Sequence, residues 1–166
     1  MKAAKYIAGA VIAAALIGVG TWQMSDSAAS APEVSFTTLT GEKFNTSDLK
    51  DKVVLVKFWA TDCVTCIQQM PDTIKYQNTY GDRGFEVIGV AMKYDPPNYV
   101  KNFTETRKLP FKVVIDANGD IAKAFDDVRL TPTAFLLDKQ GHIIRRYVGN
   151  YDKTAFIDTL EKALAS

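Results

Sequence analysis

Apolar runs alternate with polar, turn-rich stretches along most of this chain. Residues 52–59, KVVLVKFW, are nearly continuous in β-branched and apolar side chains, the pattern of a strand covered on both faces. FEVIGVAM, residues 85–92, repeats it. Between the two, the stretch from about Cys63 to Tyr80 predicts a helix, interrupted at Pro71 and stopped at Gly81. Pro96 and Pro97 open a second helix to about Arg107, since proline is tolerated in a first helical turn. FKVVIDANGDIAKAF then predicts a short strand, a turn at Asn118-Gly119 and a short helix. PTAFLLDKQGHIIRRYVG predicts a β-hairpin turning around Asp138 to Gly141. DKTAFIDTLEKAL places Phe156, Leu160 and Leu164 at helical spacing and closes the chain. Ahead of all this, EVSFTTLTGEKFNTSDL reads as a short strand or hairpin turning at Gly41, with a tight connection at Ser47-Asp48-Leu49. Strands alternating with helices predict an α/β fold: a central mixed sheet flanked by helices, an antiparallel pair at its end and an extra N-terminal hairpin.

The first residues have another character. Lys2 and Lys5 precede an uncharged run from Tyr6 to Trp22, and QMSDSAASAP follows. A positive start, an apolar run and a small-residue tail form an export signal. The run sits at the lower edge of the transmembrane range, and Pro32 would follow the best cleavage site, Ala29-Ser30-Ala31. Residues 1–31 are therefore expected to be a membrane anchor and linker, a cleaved signal being the alternative, with the domain at 32–166. Either reading places that domain outside the cytoplasm, in the periplasm of a bacterial envelope, where disulfides persist. The formal net charge is +1, and removing Lys2, Lys5 and Asp26 balances it. Such a chain gives no reason to expect a nucleic-acid partner.

Both cysteines lie in WATDCVTC, as Cys63 and Cys66. A disulfide stabilises more when it closes a longer loop, so a bridge across two residues adds little of that kind and points to chemistry. Cys63 follows a buried strand and starts a helix, where unpaired N–H groups favour a thiolate. Cys66, one turn on, can reach it. The pair suits thiol–disulfide exchange, in which Cys63 attacks a disulfide and Cys66 resolves the mixed disulfide. A zinc site normally needs four ligands, and one pair with His142 does not complete it.

Through VVLVKFWATDCVTC, Pro71, FEVIGV and LTPTAFLLDKQGHI, residues 33–166 resemble the thioredoxin superfamily. The likeness is to its membrane-anchored, envelope-facing thiol-disulfide reductases of the TlpA and ResA type. The resemblance implies a thioredoxin-like fold, a cis bond between Thr131 and Pro132 facing the cysteine pair, and a supporting role for Trp59. It also implies protein clients such as apocytochrome c or copper-site cysteines. A transmembrane thiol carrier would be the electron donor. No cofactor is expected beyond the Cys63–Cys66 disulfide, and no metal.

The chain departs from that family in places. Asp62 stands where tryptophan often precedes the first cysteine, and Thr65 where proline often precedes the second. Gln69 stands where many ResA-type reductases carry a glutamate. Lys57 stands where cytoplasmic thioredoxins have a buried aspartate. A charge inside a doubly covered strand is expensive unless paired. Lys57 either snorkels to the end of the sheet or approaches the thiols from beneath, lowering a thiol pKa if charged or accepting a proton if neutral. Asp62 either raises the Cys63 pKa or caps the helix.

Bland readings cover the remaining candidates. His142 is expected on a strand surface, and Phe58, Phe85, Phe103, Phe111 and Phe135 in the core. Met92 reads as core or rim filler, and Arg107 and Lys108 as a solvated helix end. Two rivals to a reductase are a copper-binding module using both thiolates and His142, and a thiol peroxidase. The second lacks the P-x-x-x-[TS]-x-x-C approach, because KFWATD precedes Cys63.

Overall fold

The computed structural model describes residues 29–166. In chain order the elements are β1 (Ser35–Thr37), β2 (Lys43–Asn45), β3 (Val53–Trp59), α1 (Val64–Tyr80), β4 (Phe85–Ala91), α2 (Pro97–Arg107), β5 (Lys112–Ile115), α3 (Asp120–Ala124), β6 (Thr133–Leu137), β7 (Ile143–Val148) and α4 (Lys153–Ala165). Five strands form one sheet in the order β5-β4-β3-β6-β7, and β1 and β2 form a separate pair. Strand β3 runs parallel to β4 and antiparallel to β6. The fold is thioredoxin-like, a mixed sheet with helices on it and a small antiparallel pair near the N-terminus.

Every residue of β3 is buried, as its unbroken apolar run requires. Val54, Val56 and Phe58 point to one face and pack with Phe36, Phe44, Ile88, Val90, Phe125 and Phe135. The N-terminal hairpin thus supplies core: Phe36 of β1 stacks on Phe44 of β2 with centroids 4.9 Å apart. Burying each such side chain is worth roughly 1.5–3 kcal/mol. The other face of β3 carries Val53, Leu55, Lys57 and Trp59. Val53 and Leu55 pack with Tyr76 and Tyr80 of α1 and with Phe156 and Leu160 of α4. Trp59 packs with Cys66, Met70, Val100 and Val113. Lys57 is the polar interruption between these two clusters.

The sheet edges are treated differently. The segment after β1 covers β5, with Thr38 bridged to Val114 and Leu39 N–H donating to Val113 O at 3.0 Å. Strand β7 keeps its outer positions exposed and carries Arg145 and Arg146 there, a charged edge of the kind that resists pairing with other chains. Its start is met by the chain ahead of β1: Ile143 N–H donates to Ala29 O at 2.8 Å and Ala31 N–H to Gly141 O at 2.9 Å. Contact with the sheet therefore begins ahead of residue 32.

One helix differs from expectation. Pro71 does not interrupt the helix after Cys63; α1 runs unbroken through it to Tyr80. Its buried face, Cys66, Gln69, Met70, Thr73, Tyr76 and Tyr80, anchors both sides of the proline against the sheet, and tertiary packing outweighs the lost N–H bond. The chain then leaves through a short 3₁₀ turn, Gly81–Arg83, and Gly84 takes the positive φ of 87° that ends it. The expected export segment, residues 6–22, lies outside the described residues. Among the described residues no helix is long and apolar enough to cross a membrane.

Candidate active site

Strand β3 delivers the chain into a tight loop at its carboxyl end. Asp95, buried beside this loop, accepts Thr61 N–H at 2.7 Å on one oxygen and the Thr61 hydroxyl at 2.6 Å on the other. Cys63 N–H donates to Ala60 O at 3.2 Å. The loop so fixed presents Cys63 as the N-cap of α1, where its Sγ accepts Cys66 N–H at 3.2 Å. Asp62 is therefore not the cap; it sits one residue too early and is exposed. Cys63 and Cys66 are joined as a disulfide, with Cα atoms 5.2 Å apart. Cys66 is 0% exposed, whereas Cys63 is half-buried at the surface. One sulfur can be reached by a partner and the other cannot. Once the pair is reduced, the Cys66 N–H and the helix N-terminus favour the thiolate on Cys63.

The loop before β6 comes to the same place. Phe58 is level with Thr133 across the β3–β6 ladder, so Pro132 is level with Trp59 and beside the start of the cysteine loop. The Thr131–Pro132 bond is cis. Tyr94, from the loop after β4, reaches the Thr131 hydroxyl at 3.4 Å. Large apolar side chains stand out around the pair: Val64 between the cysteines is 70% exposed, Leu130 66%, and Tyr94 and Tyr99 are also exposed. Tyr99 and Phe103 of α2 line a cavity of about 430 Å³ with Thr61, Asp62 and Arg107. Trp59 does not join this surface. It is 1% exposed and packs against Cys66 and, at 5.3 Å, Phe103. Its support of the site is internal packing rather than contact with a client.

Lys57 does not snorkel. It is 2% exposed, and its Nζ lies under α1, donating to Gln69 Oε1 at 3.1 Å and Thr73 Oγ1 at 3.0 Å. Both acceptors are neutral. Burial pushes the Lys57 pKa down to about 8, against the pull of the Asp72 carboxylate. Asp72 itself is paired with Lys153 at 2.6 Å. Gln69 carries the connection onward: its Nε2 donates to Gly149 O at 3.0 Å and Asn150 Oδ1 at 3.3 Å. Gly149 N–H in turn donates to Pro132 O at 2.8 Å. Lys57, beneath the helix, is thus connected through the Gln69 side chain and the backbone of Gly149 to the loop that flanks the disulfide.

Comparison with known proteins gives the family. The profile of the family described as Redoxin matches residues 26–164. The chain belongs to the Redoxin family. Over 133 residues it is 36% identical to the thiol-disulfide oxidoreductase ResA of Bacillus thuringiensis subsp. konkukian, covering 80% of this chain and 75% of that one. It is also 36% identical over 124 residues to the thioredoxin-like protein YneN of Bacillus subtilis, covering 74% and 72%. Among solved structures it resembles a thiol:disulfide interchange protein from Chlorobium tepidum, with TM-score 0.76 and 30% identity, covering 84% of this chain and 99% of that chain. Family, fold and the Cys63–Cys66 pair together support protein-disulfide reductase activity.

As a Redoxin-family site it also contains residues that the sequence reading passed over. Asp95 carried no signal beyond its place before Pro96-Pro97. Thr73 could have been picked out, since it follows Cys66 and Gln69 at helical spacing on the same face. Two of the expected core aromatics, Phe103 and Phe111, are only half-buried, because α2 and the segment before β5 leave one side of each to solvent. Met92 is buried in the core, and Lys108 ends α2 in the left-handed conformation at φ 49°. His142 is partly exposed and bonded to Asp138 at 3.2 Å. It is level with Asp138, past the far end of β6 from Pro132 and about 20 Å away at roughly 3.4 Å per strand residue. The copper set of Cys63, Cys66 and His142 is therefore not assembled.

Proposed function

We propose that this protein reduces disulfides of client proteins outside the cytoplasm, held at the bacterial inner membrane by residues 6–22, with a cleaved signal as the alternative. The observation that carries the reading is the asymmetry of the pair: Cys63 is reachable and its Sγ accepts an amide N–H, while Cys66 is 0% exposed. Cys63 thiolate attacks a client disulfide and releases one client thiolate. Cys66 then attacks Cys63 Sγ, restores the Cys63–Cys66 disulfide and releases the second. Two electrons pass from the pair to the client, and the pair itself carries them without a further cofactor. A membrane dithiol carrier would reduce the pair again. The exposed Val64, Leu130 and Tyr94 support an extended client segment with apolar residues near its cysteine, lying along the Thr131 backbone in the manner of strand addition. The family resemblance suggests apocytochrome c or copper-site cysteines as clients.

The test is capture. In cells, Cys66→Ser should accumulate mixed disulfides through Cys63, in a membrane fraction and on the periplasmic side. Capture by Cys63→Ser instead would reverse the roles, and soluble protein beginning near residue 32 would remove the anchor.

A further inference from the structure

Lys57 has no structural account of its own. A hydrocarbon side chain between Leu55 and Trp59 would join two apolar clusters, yet the chain buries an amine there whose two acceptors are an amide and a hydroxyl. Its two partners, Gln69 and Thr73, lie three and seven residues beyond Cys66 on the same buried face of α1, so the amine sits beneath the one to two helical turns that follow the resolving cysteine. Resolution needs a base. Cys66 sits in an apolar pocket, where burial raises a thiol pKa and disfavours the attacking thiolate. The carboxylates on this side are otherwise engaged: Asp95 holds Thr61, and Asp72 is paired with Lys153.

We propose that Lys57 is the proton acceptor for Cys66, taking the thiol proton onto Nζ as Cys66 attacks the mixed disulfide and then stabilising the thiolate as a buried cation. The inference rests on the exchange reaction above. In the step, the Cys66 S–H bond breaks and the proton passes through one bridging water to the neutral amine, which lies beyond direct hydrogen-bond reach of the sulfur. The sulfur then bonds to Cys63 Sγ, and the Cys63–client bond breaks to release client thiolate. The proton returns from Nζ to Cys66 when the pair is next reduced, or passes to water before then. Burial of Lys57 makes the neutral amine accessible near pH 8. The same burial makes the ammonium a strong local field in a low-dielectric site. The connection through the Gln69 side chain and the Gly149 backbone to Pro132 ties the amine to the client-facing loop. The other titratable groups on this face are Asp72 and Tyr76 of α1, Tyr147 of β7, and Tyr151 and Lys153 at the start of α4. Burial raises the tyrosines, so they stay neutral through the range that matters. Asp72 keeps its Lys153 partner.

The full chain, reduced and purified, is mixed with the aromatic disulfide 5,5′-dithiobis(2-nitrobenzoate), which releases one coloured thiolate on attack by Cys63 and a second on resolution by Cys66. In the native protein the second release should quicken as pH rises through about 8. Lys57→Met should slow that release at least about tenfold at pH 7, in line with the loss of a general base, and leave the first release unchanged. In a Cys63→Ser background, Lys57→Met should raise the Cys66 thiol pKa, read from alkylation rate against pH, by about 1–2. Lys57→Arg, which keeps the charge but has no accessible neutral form to accept the proton, should hold the Cys66 pKa low and still lose the fast resolution. An unchanged second release and an unchanged Cys66 pKa in a natively folded Lys57→Met protein would overturn the proposal. Absence of the first release in the native protein would instead overturn the exchange reading itself.

Discussion

Lys57 and Lys112 face opposite fates in the same sheet. Lys112 lies at the end of the sheet away from the disulfide, beside a cleft of about 750 Å³ lined also by Glu42, Lys52, Gln77 and Glu86. Burial pulls its ammonium down, but Glu86 at 2.9 Å and Glu42 at 3.1 Å outweigh that and hold its pKa above the usual lysine value. It also lies over the Phe44 ring at 4.6 Å. Lys57 is more deeply buried and has only neutral acceptors. On the proposal above, the difference separates a charge kept for structure from one kept for chemistry. A charge paired with carboxylates at a wet rim is held in one protonation state, whereas a buried amine without a bonded counterion is poised to change state. Cavity size points the wrong way here: the roomier cleft belongs to the structural cluster, and the reactive end is a shallow surface over a buried sulfur.

The contrast breaks most visibly if chemistry turns up at the wrong end. Cys63→Ser should abolish reduction of a model protein disulfide, a loss of at least about a hundredfold set by removal of the nucleophile, whereas Glu86→Gln should leave the rate within about twofold. A comparable loss in both would mean that the charged cleft takes part in turnover. A second substitution gives Lys57 what Lys112 already has. Gln69→Glu sets a carboxylate where an amide now accepts from Nζ at 3.1 Å, and an opposite charge this close raises a lysine pKa by about 1 or more. The pH at which Cys66 resolves mixed disulfides should move upward by a similar amount, and an unmoved profile would show that Lys57 does not govern it.

Stability sharpens the comparison further. The folded-state pKa of Lys57 is depressed from 10.5 to about 8. The unfolded chain therefore binds more protons between those values, and stability rises with pH across that window and is lost as pH falls through about 8. Lys57→Met removes the cost of the buried charge but strips Gln69 and Thr73 of their donor. A net gain of about 1 kcal/mol at pH 7 is expected, because a desolvation cost of several kcal/mol is partly offset by two unpaired acceptors. Denaturant melts should show the gain shrinking as pH is raised from 8 to 10.5. The smallest effect belongs to Glu86. Burial pushes its carboxyl up, and Lys52 and Lys112 outweigh that and hold it below the usual 4.5. Its contribution is present above that value and lost as the medium turns more acid. Glu86→Gln should cost about 0.5 kcal/mol at pH 7, discounted for solvent screening, and less at lower pH.

Much of this molecule is determined by local pattern. The apolar run of β3, the repeat of it in β4, the hairpin around Asp138–Gly141 and the helix of Phe156, Leu160 and Leu164 are each set by periodicities that only one element satisfies. The two cysteines on one turn carry their chemistry in their spacing. Other features came into being only when distant segments met. Pro71 breaks a helix by local rules, yet α1 continues because Met70 and Thr73 on either side are buried against the sheet. Asp62 looks like the cap, but Cys63 takes that place because Asp95, 34 residues from Thr61, fixes the loop one step further along. The fate of Lys57 depends on Gln69 and Thr73 of a helix and, through Gln69, on the loop at Gly149. Whether a charge in a strand is solvated, paired or poised is a property of what packs over it. Pattern along the chain fixes which face a side chain takes, and only the tertiary structure decides what it meets there.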